Sequence, residues 1–352
     1  MKKNTKYYDL SNILKLKDLE GKKPSIYLIE SNRSAGKTTA LLKYSLENFK
    51  KNNKQVCIIY RYKYELSSAN EIYKDVMLLY PEYGKDMAMQ SKAQGLFYEL
   101  ILDGNIFGYV VALSNIDALK KYSPLFSSVA ICIFDEFQKE DNNYLSNEVN
   151  KLQSILVTIG RGGGAQARDL EIFLLGNRVS IMNPYYIQFG IHKRLKSDTH
   201  FMRGIGWVAE FDYNENAKNE MQKTGIYRAF QNTAYTEYMT EKRYLNDSYT
   251  FIEQPNGKNK YFATILQNGK MYGVLDFYEK NILYVTTKYD RSCKNVLTVD
   301  VNEHNKNTLM LTRNSYTVSL LKDSFACGLL YFKDLECKNV IFDILALDKM
   351  RH

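Results

Sequence analysis

Near the N-terminus an apolar run, Ile26-Tyr27-Leu28-Ile29, passes through Glu30 into Ser31-Asn32-Arg33-Ser34-Ala35-Gly36-Lys37-Thr38-Thr39 and then Ala40-Leu41-Leu42-Lys43. A strand, a loop of small residues closed by Gly-Lys-Thr, and a helix make the layout of a phosphate-binding loop. That layout constrains the fold strongly, because the loop works only where a parallel strand delivers its C-terminal end to a helix N-terminus. A second apolar run, Val129-Ala130-Ile131-Cys132-Ile133-Phe134, ends in Asp135-Glu136 and reads as a further strand carrying an acidic pair at its tip. Together the two predict a nucleotide hydrolase.

Each residue type suits its position. Backbone N–H groups opening a helix offer partial positive charge to phosphate oxygens, and glycine at 36 allows close approach. Residues Ser31 to Thr39 are the predicted cradle for ATP. Lys37 would reach the β- and γ-phosphates; the Thr38 hydroxyl and Asp135 would hold Mg²⁺ from two sides; Glu136 would orient or deprotonate the attacking water. Ser31 stands where the usual pattern has glycine, which requires a negative φ at that position.

Apolar strands alternating with amphipathic helices along the first part of the chain predict a doubly wound α/β core. The pattern predicts a helix over 38–50, a strand Gln55–Tyr60, a helix over 65–80 stopped by Pro81, and two strands around Asp103-Gly104-Asn105. A helix over 146–159, a glycine-rich loop from Gly160 to Gly164 and a strand Leu170–Leu175 ending in Gly176-Asn177 follow. Residues 198–245 are polar, without sustained period, and read as a linker or small helical subdomain. Three strands, Tyr261–Gln267, Lys270–Phe277 and Ile282–Lys288, with Asn268-Gly269 as a hairpin turn, then precede helices over 315–332 and 337–350. The expected organisation is therefore an ATPase domain over 1–197, the linker over 198–245, and an α+β domain over 246–352.

Charge narrows the partner. The chain has 48 Lys and Arg against 39 Asp and Glu, a formal +9, and most of the excess (+7) falls within residues 1–200. A basic nucleotide-binding half favours a polyanion such as nucleic acid. Five cysteines without a C-x-x-C spacing read as reduced core residues, and the four histidines are too scattered for a zinc site. No run approaches the ~20 apolar residues of a membrane span, so a soluble intracellular protein without membrane partners is expected.

Asn32-Arg33-Ser34-Ala35-Gly36-Lys37-Thr38, with arginine three places before the glycine, resembles the phosphate loop of viral terminase-type packaging motors. Ile133-Phe134-Asp135-Glu136-Phe137, then Asn142-Asn143-Tyr144, Asn147-Glu148-Val149, Leu175-Gly176-Asn177-Arg178-Val179-Ser180 and Asn183-Pro184-Tyr185-Tyr186, resemble more narrowly the phi29-type podovirus packaging ATPases. The resemblance implies an ASCE-type P-loop NTPase with a RecA-like doubly wound sheet, followed by a smaller RNase H-like domain. It implies an ATP-driven motor translocating double-stranded DNA into a preformed capsid, as a homomeric ring, a pentamer, docked at the phage portal of the procapsid in the host cytoplasm. A packaging RNA is left open as a further partner.

The resemblance also assigns roles. Arg161 matches the arginine that a neighbouring subunit supplies in trans to the γ-phosphate, and Asn177 matches a polar sensor at the end of the next strand. Arg33 is expected to touch the phosphates or to restrain Glu136. Lys120, Lys121, Lys139 and the Arg161–Arg168 loop are the candidates for sequence-independent DNA phosphate contacts. Terminases carry a metal-binding aspartate on the first strand of their nuclease domain; here Tyr261-Phe262-Ala263-Thr264-Ile265-Leu266 has no acid, so an inactive nuclease fold is expected. Two alternatives stand beside this reading: a terminase that also cleaves DNA, and a nucleic-acid-binding virion protein with a vestigial nucleotide pocket.

Overall fold

The computed structural model describes residues 8–345 apart from 162–165, 196–197, 232, 241–243, 246, 248–249, 268 and 313. The chain divides into two units, Met1–Asn246 and Asp247–His352.

Among the described residues, the first unit builds a nine-stranded sheet. Its strands in chain order are β1 (Ile26–Glu30), β2 (Gln55–Tyr60), β3 (Met87–Lys92), β4 (Phe97–Leu102), β5 (Asn105–Ala112), β6 (Val129–Phe134), β7 (Glu171–Gly176), β8 (Phe201–Gly204) and β9 (Trp207–Phe211). The spatial order is β3-β4-β5-β2-β6-β7-β1-β9-β8. The inner run from β5 to β9 is parallel throughout, and an antiparallel hairpin closes each edge. Side chains along each parallel strand alternate between two cores. Leu28, Cys57, Ile59, Cys132, Phe134, Ile172 and Leu174 pack into one. Tyr27, Ile29, Val56, Ile58, Ile131, Ile133, Phe173 and Leu175 pack into the other. A sheet buried on both faces explains why these strands read as continuous apolar runs.

Helices cover both faces. Lys37–Asn52 and Ala69–Leu79 lie over one, with Leu41, Leu42, Leu46, Tyr73 and Val76 buried. Glu148–Ile159 lies over the other through Leu152, Ile155 and Ile159. The helix expected over 65–80 is shorter, because Lys63–Ser68 is a 3₁₀ turn closed by a Tyr62/Glu65 capping box. Strand β3, whose burial alternates weakly, was not legible in the sequence.

The main departure lies in the segment read as a linker. Residues 201–211 form the β8–β9 hairpin, and β9 extends the sheet beside β1 with all five residues buried. The strands are only four and five residues long, too short to show a period, which is why 198–212 looked irregular. Three short helices follow, Glu215–Gln222, Gly225–Phe230 and Ala234–Thr240, so the helical part of that reading falls on 215–240.

The second unit is a separate α+β layer. Its strands are β10 (Lys260–Gln267), β11 (Lys270–Phe277), β12 (Ile282–Thr286), β13 (Val296–Thr298), β14 (Leu309–Met310) and β15 (Leu330–Phe332), in the order β14-β13-β10-β11-β12-β15. An antiparallel meander, β10 to β12, is extended by parallel β13 and β14 on the side of its first strand, the RNase H-like arrangement. Helices Tyr316–Ala326 and Leu335–Leu345 pack on it through Val318, Leu321, Cys337, Ile341 and Ile344. Strands of two or three residues, β13 to β15, escaped the sequence pattern, and β15 interrupts the helix expected over 315–332. Asn268 of the expected hairpin turn, and the end of the helix expected over 337–350, lie outside the described residues.

Candidate nucleotide site

The loop Ser31–Gly36 joins β1 to the helix beginning at Lys37. Its left-handed positions are Ser34 (φ +59°) and Gly36 (φ +82°), and Ser31 is not among the positive-φ residues. The reversal that brings backbone N–H groups round falls on Ser34 and Gly36, so serine at 31 meets no strain. Ser31, Asn32, Ala35 and Lys37 are buried, and Ser31 donates its N–H to the Gly176 carbonyl (3.3 Å) at the end of β7.

Among the described residues the Lys37 ammonium is held only by neutral oxygens: Ser31 Oγ (3.0 Å), Ser31 O (3.4 Å), Asn32 O (3.2 Å) and Asn177 Oδ1 (3.0 Å). Burial lowers its pKa to about 8, with the charges of Asp135 and Glu30 opposing the shift. Thr38 donates its hydroxyl to Asp135 Oδ2 (2.8 Å), and Asp135 Oδ1 accepts the Glu136 N–H (2.9 Å). Burial raises the Asp135 carboxyl; the Thr38 hydrogen bond and the Lys37 charge pull the other way. The Glu136 carboxyl is raised by desolvation in the cleft and then by Asp135, with Arg33 opposing. Hard oxygen donors from Thr38 and Asp135, touching each other beside a phosphate loop, fit Mg²⁺.

Strand β7 lies between β1 and β6, so Asn177 at its tip stands between the phosphate loop and the acidic pair. Arg33 is placed differently from the expectation of a contact with Glu136: its ion pair is with Glu140 (2.7 Å), under the ring of Tyr235 (5.7 Å). Tyr238 also donates to Glu140 (3.3 Å). Arg161 is exposed at the end of helix Glu148–Ile159, and residues 162–165 of its loop lie outside the described residues. Arg168 is not a free basic group: it donates to the carbonyls of Val129 (2.9 Å), Phe126 (3.0 Å) and Ile159 (2.8 Å), bracing a helix end internally. Lys120 and Lys139 are paired with Asp117 (2.8 Å) and Asp141 (2.7 Å). Lys121 has no ion pair among the described residues and lines, with Lys63, Gln94 and Asn115, a cleft of about 740 Å³.

Two charged networks lie behind the site, and neither is encoded as a local motif. Glu30, buried at the end of β1, meets Arg178 (3.2 Å) and accepts from Gln138 (2.8 Å), Tyr186 (2.5 Å) and Tyr244 (2.9 Å). Arg61, at the end of β2, forms a buried two-point pair with Glu148. The only trace of either in the sequence is a charged residue set directly after an apolar strand.

The segment after β9 closes on the loop. Asn32 and Asn214 exchange hydrogen bonds (3.2 and 2.9 Å), and Tyr235 and Tyr244 reach Arg33 and Glu30.

A parallel sheet with one strand inserted between the phosphate-loop strand and the acidic strand, a Gly-Lys-Thr cradle and a polar residue on the inserted strand define a P-loop NTPase of the ASCE arrangement. The chain belongs to the family of Podovirus DNA encapsidation protein (Gp16), whose model matches residues 7–351. It is 28% identical over 327 residues to the DNA packaging proteins of Bacillus phage PZA and Bacillus phage phi29, covering 91% of this chain and 92% of each relative. Its fold is similar to a chain of the bacteriophage Phi-29 viral genome packaging motor assembly, with a TM-score of 0.70 at 24% identity over 99% of this chain and 100% of that one.

Proposed function

We propose that this protein hydrolyses ATP and uses the energy to drive double-stranded viral DNA into a preformed capsid, as a homomeric ring of five docked at the portal in the host cytoplasm. The observation that carries the reading is Lys37: a buried ammonium held by four neutral oxygens, with no carboxylate at ion-pair distance among the described residues. A cation left without an anion in such a cradle is suited to a polyphosphate.

The chemistry follows from the residues. The N–H groups at the start of helix Lys37–Asn52 and the Lys37 ammonium bind the β- and γ-phosphates. Thr38 and Asp135 would hold Mg²⁺, which when bound neutralises charge on the phosphate oxygens. Glu136, its carboxyl raised above the ordinary carboxylate value by desolvation, takes the proton of the attacking water. Asn177, already on Lys37, registers the loss of the γ-phosphate. Arg161, exposed at a helix end, reaches the neighbouring subunit's nucleotide, a contact worth roughly 10³–10⁵ in rate in related systems. Arg33 acts through Glu140 and the tyrosines over it, restraining the region of Glu136. Lys121, with Lys63 across the same cleft, grips DNA phosphates without reading sequence. A packaging RNA, if one serves this motor, would be a further partner of the ring.

The second unit acts as a nuclease-inactive RNase H-like fold. In support, β10 has no acid, Asp343 is engaged by Gln267 (2.7 Å), and Asp290 closes a turn with Ser292. Among the described residues no three His, Cys, Asp or Glu side chains converge to hold a metal.

ATP hydrolysis by the wild type and by Glu136→Gln, with and without double-stranded DNA, tests the reading. DNA-stimulated turnover that the variant loses while it still binds nucleotide is expected. Turnover indifferent to DNA in an assembled ring would count against translocation.

A further inference from the structure

We infer that Arg61 is a positioning residue for hydrolysis, fixing the backbone from which the Glu136 carboxylate projects. The inference rests on the reading of Glu136 as the group that activates water, and goes beyond it to name what holds that group in place.

Glu136 occupies the left-handed region, φ +54°. A non-glycine residue there is under backbone strain and stays only where its surroundings over-determine it. Asp135 Oδ1 accepts the Glu136 N–H (2.9 Å), and the carbonyl side of the turn is held from the tip of β2. From the tip of β2, Arg61 directs both terminal nitrogens at the Glu136 carbonyl (3.3 Å each), and Nη2 also donates to the Phe137 carbonyl (3.1 Å). Two successive carbonyls of the strained turn therefore end on one guanidinium. On its other side the loop is fixed to β7 by the Phe137 N–H on the Leu175 carbonyl (2.9 Å).

The guanidinium is itself immobilised. Glu148 accepts from Nε and Nη2 at 2.9 Å each, and both side chains are almost fully buried, at 5% and 0% exposure. Tyr185 (2.8 Å) and the Leu145 N–H (2.9 Å) complete the Glu148 carboxylate. The rings of Phe134 and Tyr144 lie 5.3 and 5.6 Å from the guanidinium carbon. A planar fork with five donors is what this geometry uses: one edge pairs with a carboxylate while the remaining donors reach two carbonyls. A lysine ammonium cannot reproduce that fork.

The pair also links Glu136 to the helix bearing Arg161. Glu148 is the first residue of the helix Glu148–Ile159, and Arg161 lies two residues beyond its end. Any shift of that helix caused by docking against a neighbouring subunit would be transmitted through Glu148 and Arg61 to the backbone of Glu136.

The test compares the full-length wild type, Arg61→Lys, the double variant Arg61→Met/Glu148→Gln, and Glu136→Gln. Each is assayed for thermal melting, fluorescent-ATP binding, and kcat and KM for ATP with double-stranded DNA. The double variant removes both buried charges together, which avoids leaving one unpaired, and glutamine can still accept from the Leu145 N–H through its one oxygen while its amide nitrogen donates to the Tyr185 hydroxyl. Expected are folded Arg61 variants whose KM for ATP stays within about threefold and whose kcat falls by about 10²-fold, the size of loss that a misplacement of ~1 Å produces. Adding Arg61→Lys to Glu136→Gln should cost nothing further, since both changes remove the same step.

If Glu136→Gln is inactive but either Arg61 variant turns over within twofold of the wild type, the inference fails and the functional reading survives. If Glu136→Gln is itself active, both fall. A rise in KM at unchanged kcat, or failure of both Arg61 variants to fold, makes the pair a core staple and overturns the positioning role.

Discussion

Raising the pH should release nucleotide from this protein while making the empty protein more stable, and the opposite signs come from one side chain. Lys37 is buried, and burial lowers its pKa to about 8 against an ordinary 10.5. Polyphosphate restores the charged form, so nucleotide binding takes up a proton wherever the free protein has lost it. Below pH 8 the lysine is already charged and affinity is flat; above pH 8 it falls. For a free-state value of 8 and a bound-state value near 10.5, the dissociation constant weakens about 30-fold between pH 7 and 9.5, and binding at pH 8.5 takes up about three-quarters of a proton. The folding term runs the other way. The unfolded chain binds the proton more tightly, so burying this charge costs about 3 kcal/mol below pH 8, and the cost is relieved as pH climbs toward 10.5. Titration of a fluorescent ADP with magnesium across pH 7 to 9.5, calorimetry in two buffers of different ionisation enthalpy, and urea melts of the empty protein measure the three quantities. Any binding left in Lys37→Arg, whose side chain stays charged throughout, should lose the pH dependence. Constant wild-type affinity from pH 7 to 9.5 with no proton uptake would refute the reasoning.

Other outcomes follow from the buried groups. Arg178→Met leaves the Glu30 carboxylate without its counter-ion and should cost about 3–5 kcal/mol in urea unfolding; a loss under 1 kcal/mol would mean that Gln138, Tyr186 and Tyr244 suffice. Burial raises the Glu210 carboxyl to about 7, with the Tyr8 hydrogen bond opposing. Its protonated form thus favours the fold below about pH 4.5, and that contribution, of order 3 kcal/mol, is lost as pH rises through 7. Glu210→Gln should flatten the dependence of stability on pH between 4.5 and 7.5, and an unchanged slope would rule the group out. Asp135→Asn should lower kcat by at least about 10²-fold and weaken the response to added magnesium; a normal magnesium titration would count against Asp135 as a ligand. Arg161→Ala should melt like the wild type, because the side chain is exposed, yet abolish turnover in assembled rings, and activity restored by mixing in Glu136→Gln subunits would show that the arginine acts across an interface.

The parts of the site legible in the sequence are those built within one element and its neighbour in the chain. Ile26–Thr39 encodes strand, loop and helix in a single stretch, so the cradle needs no distant partner to be recognised. The same holds for Val129–Phe134 with Asp135-Glu136, where a fully buried parallel strand leaves an unbroken apolar run and then a charge. Parallel strands buried on both faces announced the α/β class for the same reason. What could not be read there was strand order. The position of β7 between β1 and β6 puts Asn177 on Lys37, and β9 enters the sheet with five residues that carry no periodic signal. Arg61 and Glu148, or Glu30 and Arg178, meet across separations of 87 and 148 residues. In the sequence Glu30 and Arg61 are charges at the end of an apolar run, Arg178 follows Gly176-Asn177, and Glu148 opens a helix after a polar stretch; only the fold, by bringing strand tips and a helix start together away from water, turns them into ion pairs. The sequence alone therefore determined the strand–loop–helix and the acidic pair of the candidate site, while tertiary structure decided what holds those residues still, because a buried charge finds its partner through space and not along the chain.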